Sequence, residues 1–148
     1  MFLDKGGFPC IAGCIVGTLV NIDAPSINEE QFIDRHGKHS INVTMVCGPN
    51  HVFYALYAKW PGSVHDARVL RNTSIFVTFE SGWQPFPGAV LLGDNAYALK
   101  EWLIPPRHQN SNDEIEQRFN RKHKFTRRLI ECSCGILKER FPCLNYCL

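Results

Sequence analysis

Three carboxylates stand where a folded chain tends to build a site: Asp66, Asp94 and Glu131. Asp66 follows Pro61-Gly62, which breaks an apolar, β-prone run, and Ser63, an N-cap for a helix over 64–72. Asp94 ends Gly88–Gly93 (Gly-Ala-Val-Leu-Leu-Gly), a continuous apolar stretch of the kind that forms a central strand buried on both faces. Ligands in open α/β sheets sit at the carboxyl ends of such strands. Glu131 shares a helix face with Arg127 and Lys138, at steps of four and seven. Carboxylates gathered from separate elements repel one another unless a cation neutralises them, and Mg²⁺ or Mn²⁺ suits such an oxygen-rich set. Two such ions about 3.5–4 Å apart activate water and stabilise the leaving oxygen in phosphodiester cleavage. Each acid also has a plainer role. Asp66 favours a helix N-terminus electrostatically, and Glu131 between two cations can form a surface ion-pair ladder worth little.

The elements that must carry these groups follow from periodicity. Ile11–Ile22 reads as a strand, with Gly17 marking a bulge or a close approach. Asp23–Gly37 is polar and aperiodic, a loop. Ser40–Cys47 alternates, with Ile41, Val43, Met45 and Cys47 on one face and Ser40, Asn42 and Thr44 on the other. Gly48-Pro49-Asn50 turns the chain into a second strand, Val52–Lys59, making an antiparallel hairpin. Short helices are expected at Ile75–Glu80 and Leu99–Leu103, and a mobile polar segment at His108–Asn112. Asp113-x-x-Glu116 resembles a capping box opening a long helix over Glu114–Phe141, with Ile130, Leu137 and Phe141 as its core-facing stripe.

At 148 residues the chain suits one domain with a real core. No run of about 20 apolar residues occurs, so no membrane span is expected. The N-terminus lacks the basic-then-apolar plan of a signal peptide, so the seven cysteines read as free thiols in a reducing compartment and the chain as not secreted. The pairs Cys10/Cys14, Cys132/Cys134 and Cys143/Cys147 lack the short Cys-x-x-Cys knuckle, which disfavours zinc. A net charge of +2 predicts no partner, but Arg118, Arg121, Lys122, Lys124, Arg127 and Arg128 follow one another with no acid among them. Such a run is either a solvated face or a footprint for phosphates. His39 and His65 read as structural or rim residues, Trp60 and Trp102 as packing anchors, and Tyr97 as packing beneath Asp94.

Several blocks resemble one family when taken in order. Gly-Lys-His-Ser-Ile-Asn-Val (37–43), Trp-Pro-Gly-Ser-Val-His-Asp-Ala-Arg-Val (60–69), Leu-Leu-Gly-Asp-Asn-Ala-Tyr (91–97) and the segment 119–141 are similar to successive blocks of the PIF/Harbinger transposases. The similarity is collinear over roughly residues 8–144. It implies an α/β, RNase H-like fold, a mixed β-sheet with helices on both faces, and a DDE-type, Mg²⁺- or Mn²⁺-dependent DNA endonuclease. The family's metal-binding acids fall on Asp66, Asp94 and Glu131, and its phosphate contacts on Arg127 and Lys138, with Arg121, Lys124 and Arg128 tracking the backbone. A nuclear location, with the cytoplasm as the other compartment, and a separate Myb/SANT-like DNA-binding partner are also implied.

Two departures qualify that expectation. The family's first strand reads Ile-Asp-Gly-Thr-His, whereas this chain has Ile15-Val16-Gly17-Thr18-Leu19. Val16 takes the first acid position and cannot ligate a metal, so cleavage is expected to be impaired. Asp23 is no substitute, because an extended strand places it about 23 Å away on the opposite face. The chain also starts almost at the first strand, so the helical DNA-binding region of complete family members is expected to be absent. The alternatives are a binding remnant that no longer cuts, or a decayed transposon fragment.

Overall fold

The computed structural model describes residues 7–107 and 112–145. Five strands form one mixed sheet: β1 (Ile11–Asn21), β2 (Ser40–Cys47), β3 (Phe53–Pro61), β4 (Val90–Leu92) and β5 (Leu103–Ile104), in the spatial order β3-β2-β1-β4-β5. β1 pairs antiparallel with β2 and parallel with β4, so the apolar run before Asp94 is an inner strand, as its composition requires. The β2–β3 hairpin forms as expected. Helices α1 (Asp66–Arg71) and α2 (Ser74–Glu80) cover one face, and the long α3 (Glu114–Arg140) crosses the other. The expected mixed sheet with helices on both faces is therefore observed.

The pleat divides the strands between two cores. Ile15, Val46 and Leu91 face α1 and α2 and pack with Leu70, Phe79, Tyr97 and Trp102. Cys14, Cys47 and Leu92 face α3 and pack with Ile130, with Val16 and Cys134 against them. Cys14 and Cys47 are direct partners across β1 and β2. Trp102 is an anchor, its ring against Phe76 and Phe79 and its Nε1 donating to Glu80 Oε1 at 2.9 Å. The polar side of β2 is not solvated. Ser40, Asn42 and Thr44 are all buried, because β2 is an inner strand with α1 over that side.

Three local expectations need correcting. Leu99–Leu103 is not a helix: Lys100 and Leu103 form a bridge and Leu103 enters β5, whose backbone pairs with β4 in place of helical bonds. Ser63 does not cap α1. It lies in the turn closed by Val64 N–H donating to Pro61 O, its hydroxyl donates to Gln31 O, and His65 takes the cap position. Asp113 caps α3 as expected, its carboxylate accepting from the Ile115 N–H at 2.9 Å. Phe141 lies just past the helix and is exposed, whereas His123, Thr126, Ile130 and Ser133 make the buried stripe. Of the segment expected to be mobile, 108–111 lies outside the described residues.

Candidate active site

Asp94 leaves the carboxyl end of β4, where Gly93 allows the Tyr97 ring to lie against the backbone; a Cβ at 93 would meet that ring. Its Oδ1 accepts from the Ala96 N–H at 2.8 Å, and its Oδ2 is 3.9 Å from Nη2 of Arg127. The Arg127 side chain is only 11 % exposed, so this long contact acts in a poorly solvated setting. Its Nε is buried with no hydrogen-bond partner among the described residues. Arg127 is thus the counter-charge of Asp94.

Asp66 opens α1 and turns its carboxylate onto the sheet. Asn42 Nδ2 donates to Asp66 Oδ1 at 2.6 Å and to Val64 O at 2.9 Å, tying β2 to the start of the helix. Beneath the carboxylate lies Gly17, whose missing side chain leaves the room: a Cβ there would collide with Asp66. The close approach expected at Gly17 is what the glycine serves. Tyr97 lies within the electrostatic reach of both acids. It is buried, and its hydroxyl lacks a partner among the described residues. Burial first, then the charges of Asp66 and Asp94, push its phenol well above the ordinary range, so it stays neutral.

On the other side of the sheet, Glu131 is exposed one turn beyond Arg127, and its charge reaches the thiols of Cys14 and Cys134. Lys138 Nζ donates to Leu19 O at 3.4 Å, so Arg127 and Lys138 both reach back to the sheet from the face that sequence spacing gave them. Val16, half-buried, also faces α3 and packs against the cluster of Cys14, Cys47, Leu92 and Ile130. Arg121, Lys124 and Arg128 are exposed. His65 begins α1, and His39 lies 2.9 Å from Glu29, both at the rim. Asn42 stands out in the sequence only as one of three alternating polar residues of β2 and as part of the 37–43 block.

The residues do not compose a divalent-metal site of the expected kind. Among the described residues no three His, Cys, Asp or Glu side chains converge on one point. Asp66 lies on the Gly17 side of β1, whereas Val16 and Glu131 lie on the α3 side. Where a first carboxylate would face α3 there are the methyl groups of Val16, and the charge nearest Asp94 is a guanidinium.

Comparison with known proteins fits this geometry. No helix among the described residues is long and apolar enough to cross a membrane. The human protein named "Putative nuclease HARBI1" is 33% identical over 144 residues, covering 97% of this chain and 40% of that protein. Its Xenopus laevis counterpart is 30% identical over 149 residues, and "Protein ALP1-like" of Arabidopsis thaliana is 24% identical over 157. The chain spans about two-fifths of the length of these curated relatives. No solved structure matches. The profile of the DDE superfamily endonucleases matches residues 15–148. The mixed sheet crossed by a long helix, with an acid at the end of an inner strand, is therefore the RNase H-like domain of that family, and the chain belongs to the DDE superfamily endonucleases.

Proposed function

We propose that this domain binds DNA through its long helix and does not hydrolyse it as the chain stands. The carrying observation is Val16, an apolar side chain packed against α3 at the position where the family resemblance expects a metal-binding acid. Arg121, Lys124 and Arg128 project from α3 into solvent and suit phosphate oxygens. Arg127 and Lys138 stand between the helix and the sheet, where a phosphodiester would compete with Asp94 for the guanidinium. Asp94 faces the Arg127 guanidinium, Glu131 is exposed on α3, and position 16 supplies no acid. Asp66 positions the β2–α1 junction through Asn42. A DNA substrate implies work in the nucleus, and the resemblance implies a separate Myb/SANT-like protein for target choice.

The test is Mn²⁺ binding by calorimetry, with plasmid nicking as readout, on the parent and its Val16→Asp variant. The parent is expected to shift on plasmid DNA yet neither bind Mn²⁺ nor nick. The variant regains both activities if the loss of one acid is the whole deficit. Nicking by the parent that disappears in Asp94→Ala would overturn the proposal and make the chain a working nuclease.

A further inference from the structure

Helix α3 turns its cations in two directions. Arg127 and Lys138 reach inward, to Asp94 and to the Leu19 carbonyl. Arg118, Arg121, Phe125, Arg128 and Cys132 follow at steps of three and four, so they line one stripe along the outside of the helix. All five are exposed, and Phe125 is 58 % exposed. No ion pair involves Arg118, Arg121 or Arg128 among the described residues. A shallow hollow of about 390 Å³ opens beside the ring, lined by Phe125, Arg128, Leu129 and Cys132.

A bare aromatic ring set between arginines has a specific meaning. The arginines select a polyanion, by charge alone. The ring adds nothing toward a closed duplex, whose bases already stack on one another. It does offer a face to an unpaired base, and base–aromatic stacking tolerates any sequence because every base has a π-face. Arg121 and Arg128 are two turns apart with Phe125 between them, an alternation of charge and ring that matches the alternation of phosphate and base along one strand.

We infer that the outer stripe of α3 binds single-stranded DNA, one unpaired base stacking on Phe125 while Arg121 and Arg128 hold phosphates on either side. This rests on the reading of the domain as DNA-binding and adds to it a preference for the open strand. The surface lies on the far side of α3 from its buried stripe, so the strand is held independently of Asp94 and Glu131.

Fluorescence anisotropy tests it, with a labelled oligothymidine of about sixteen nucleotides and a duplex of equal length. The parent is expected to prefer the single strand. Phe125→Ala weakens that binding about tenfold and leaves the duplex unaffected, and Phe125→Trp restores it. Arg121→Gln with Arg128→Gln weakens both and lowers the single-strand salt slope by about 1.4. Unchanged single-strand affinity in Phe125→Ala overturns the inference while leaving duplex binding, and the proposed function, intact. Displacement of the strand by an oligoglutamate of equal charge also overturns it, assigning the stripe to an acidic protein segment. If the parent binds neither oligonucleotide, the DNA-binding reading fails first and the inference falls with it.

Discussion

The same strands present opposite chemistry to the two faces of the sheet. Toward α1 and α2, residues 40, 42 and 44 of β2 are polar and buried, and Asn42 ties Asp66 down over Gly17. Toward α3, residues 14, 16, 45 and 47 are apolar or thiol, and a largely buried arginine from the helix supplies the charge. Neighbouring positions of one strand, Val16 and Gly17, belong to different faces. Acids that look like one cluster along the chain are therefore sorted by the pleat, with Asp66 to one side and Glu131 to the other. Each face can be broken separately.

The largest effect is expected on the α3 face. Ile130 is fully buried between helix and sheet, and Ile130→Ala should cost about 3 kcal/mol by cavity formation, read as a lower midpoint in urea. The contacts that hold α1 and α2 leave this residue out, so near-ultraviolet signals from Trp102 should persist until global unfolding. Next comes Gly17→Ala on the opposite face. The new methyl group meets the Asp66 carboxylate and should cost about 2 kcal/mol. The same substitution in an Asp66→Ala background should cost much less, and equal costs in both backgrounds would refute the close approach.

The smallest effect is one of pH, and it separates the faces by where they titrate. Burial foremost, and the charge of Arg127, hold His123 below its ordinary value of 6.5, while its Nε2 lies 2.9 Å from Ile104 O. A histidine kept neutral in the fold contributes stability that is present above 6.5 and lost as pH falls from there, by at most about 1.4 kcal/mol per pH unit. Glu80 is lowered chiefly by its hydrogen bond to Lys100 and also by Trp102, so its contribution is present above 4.5 and lost only in stronger acid. Thermal scans should show the α3 face weakening first between neutral pH and pH 5, with that slope absent in His123→Gln.

How much of this could be read from the sequence depends on whether the signal was local. β2 and the start of α3 were legible because alternation and an N-cap act over a few residues. Asp94 was legible because a short apolar run ending in an acid has few other uses. The false helix at Leu99–Leu103 failed because its residues obtain their partners from β4, a contact no local pattern reports. The separation of Asp66 from Glu131 was hidden for a related reason. Which side of the sheet a helix start covers depends on the crossover from β3, and only the packing of Asp66 on Gly17 reveals it. The ion pair of Arg127 with Asp94 was likewise hidden, because it joins residues 33 apart in sequence.

The cysteines give the molecule a built-in clock. Cys10, Cys132 and Cys143 are open to solvent, whereas Cys14 and Cys47 are fully enclosed under α3 with Cys134 beside them. Burial pushes the Cys14 thiol up to about 12 and Cys134 up to about 11, which removes the reactive thiolate at neutral pH. A thiol reagent therefore meets one prompt population and one that reacts only when the helix lifts from the strands. The rate of the slow phase counts those liftings without any added label, on the face that carries Asp94's counter-charge.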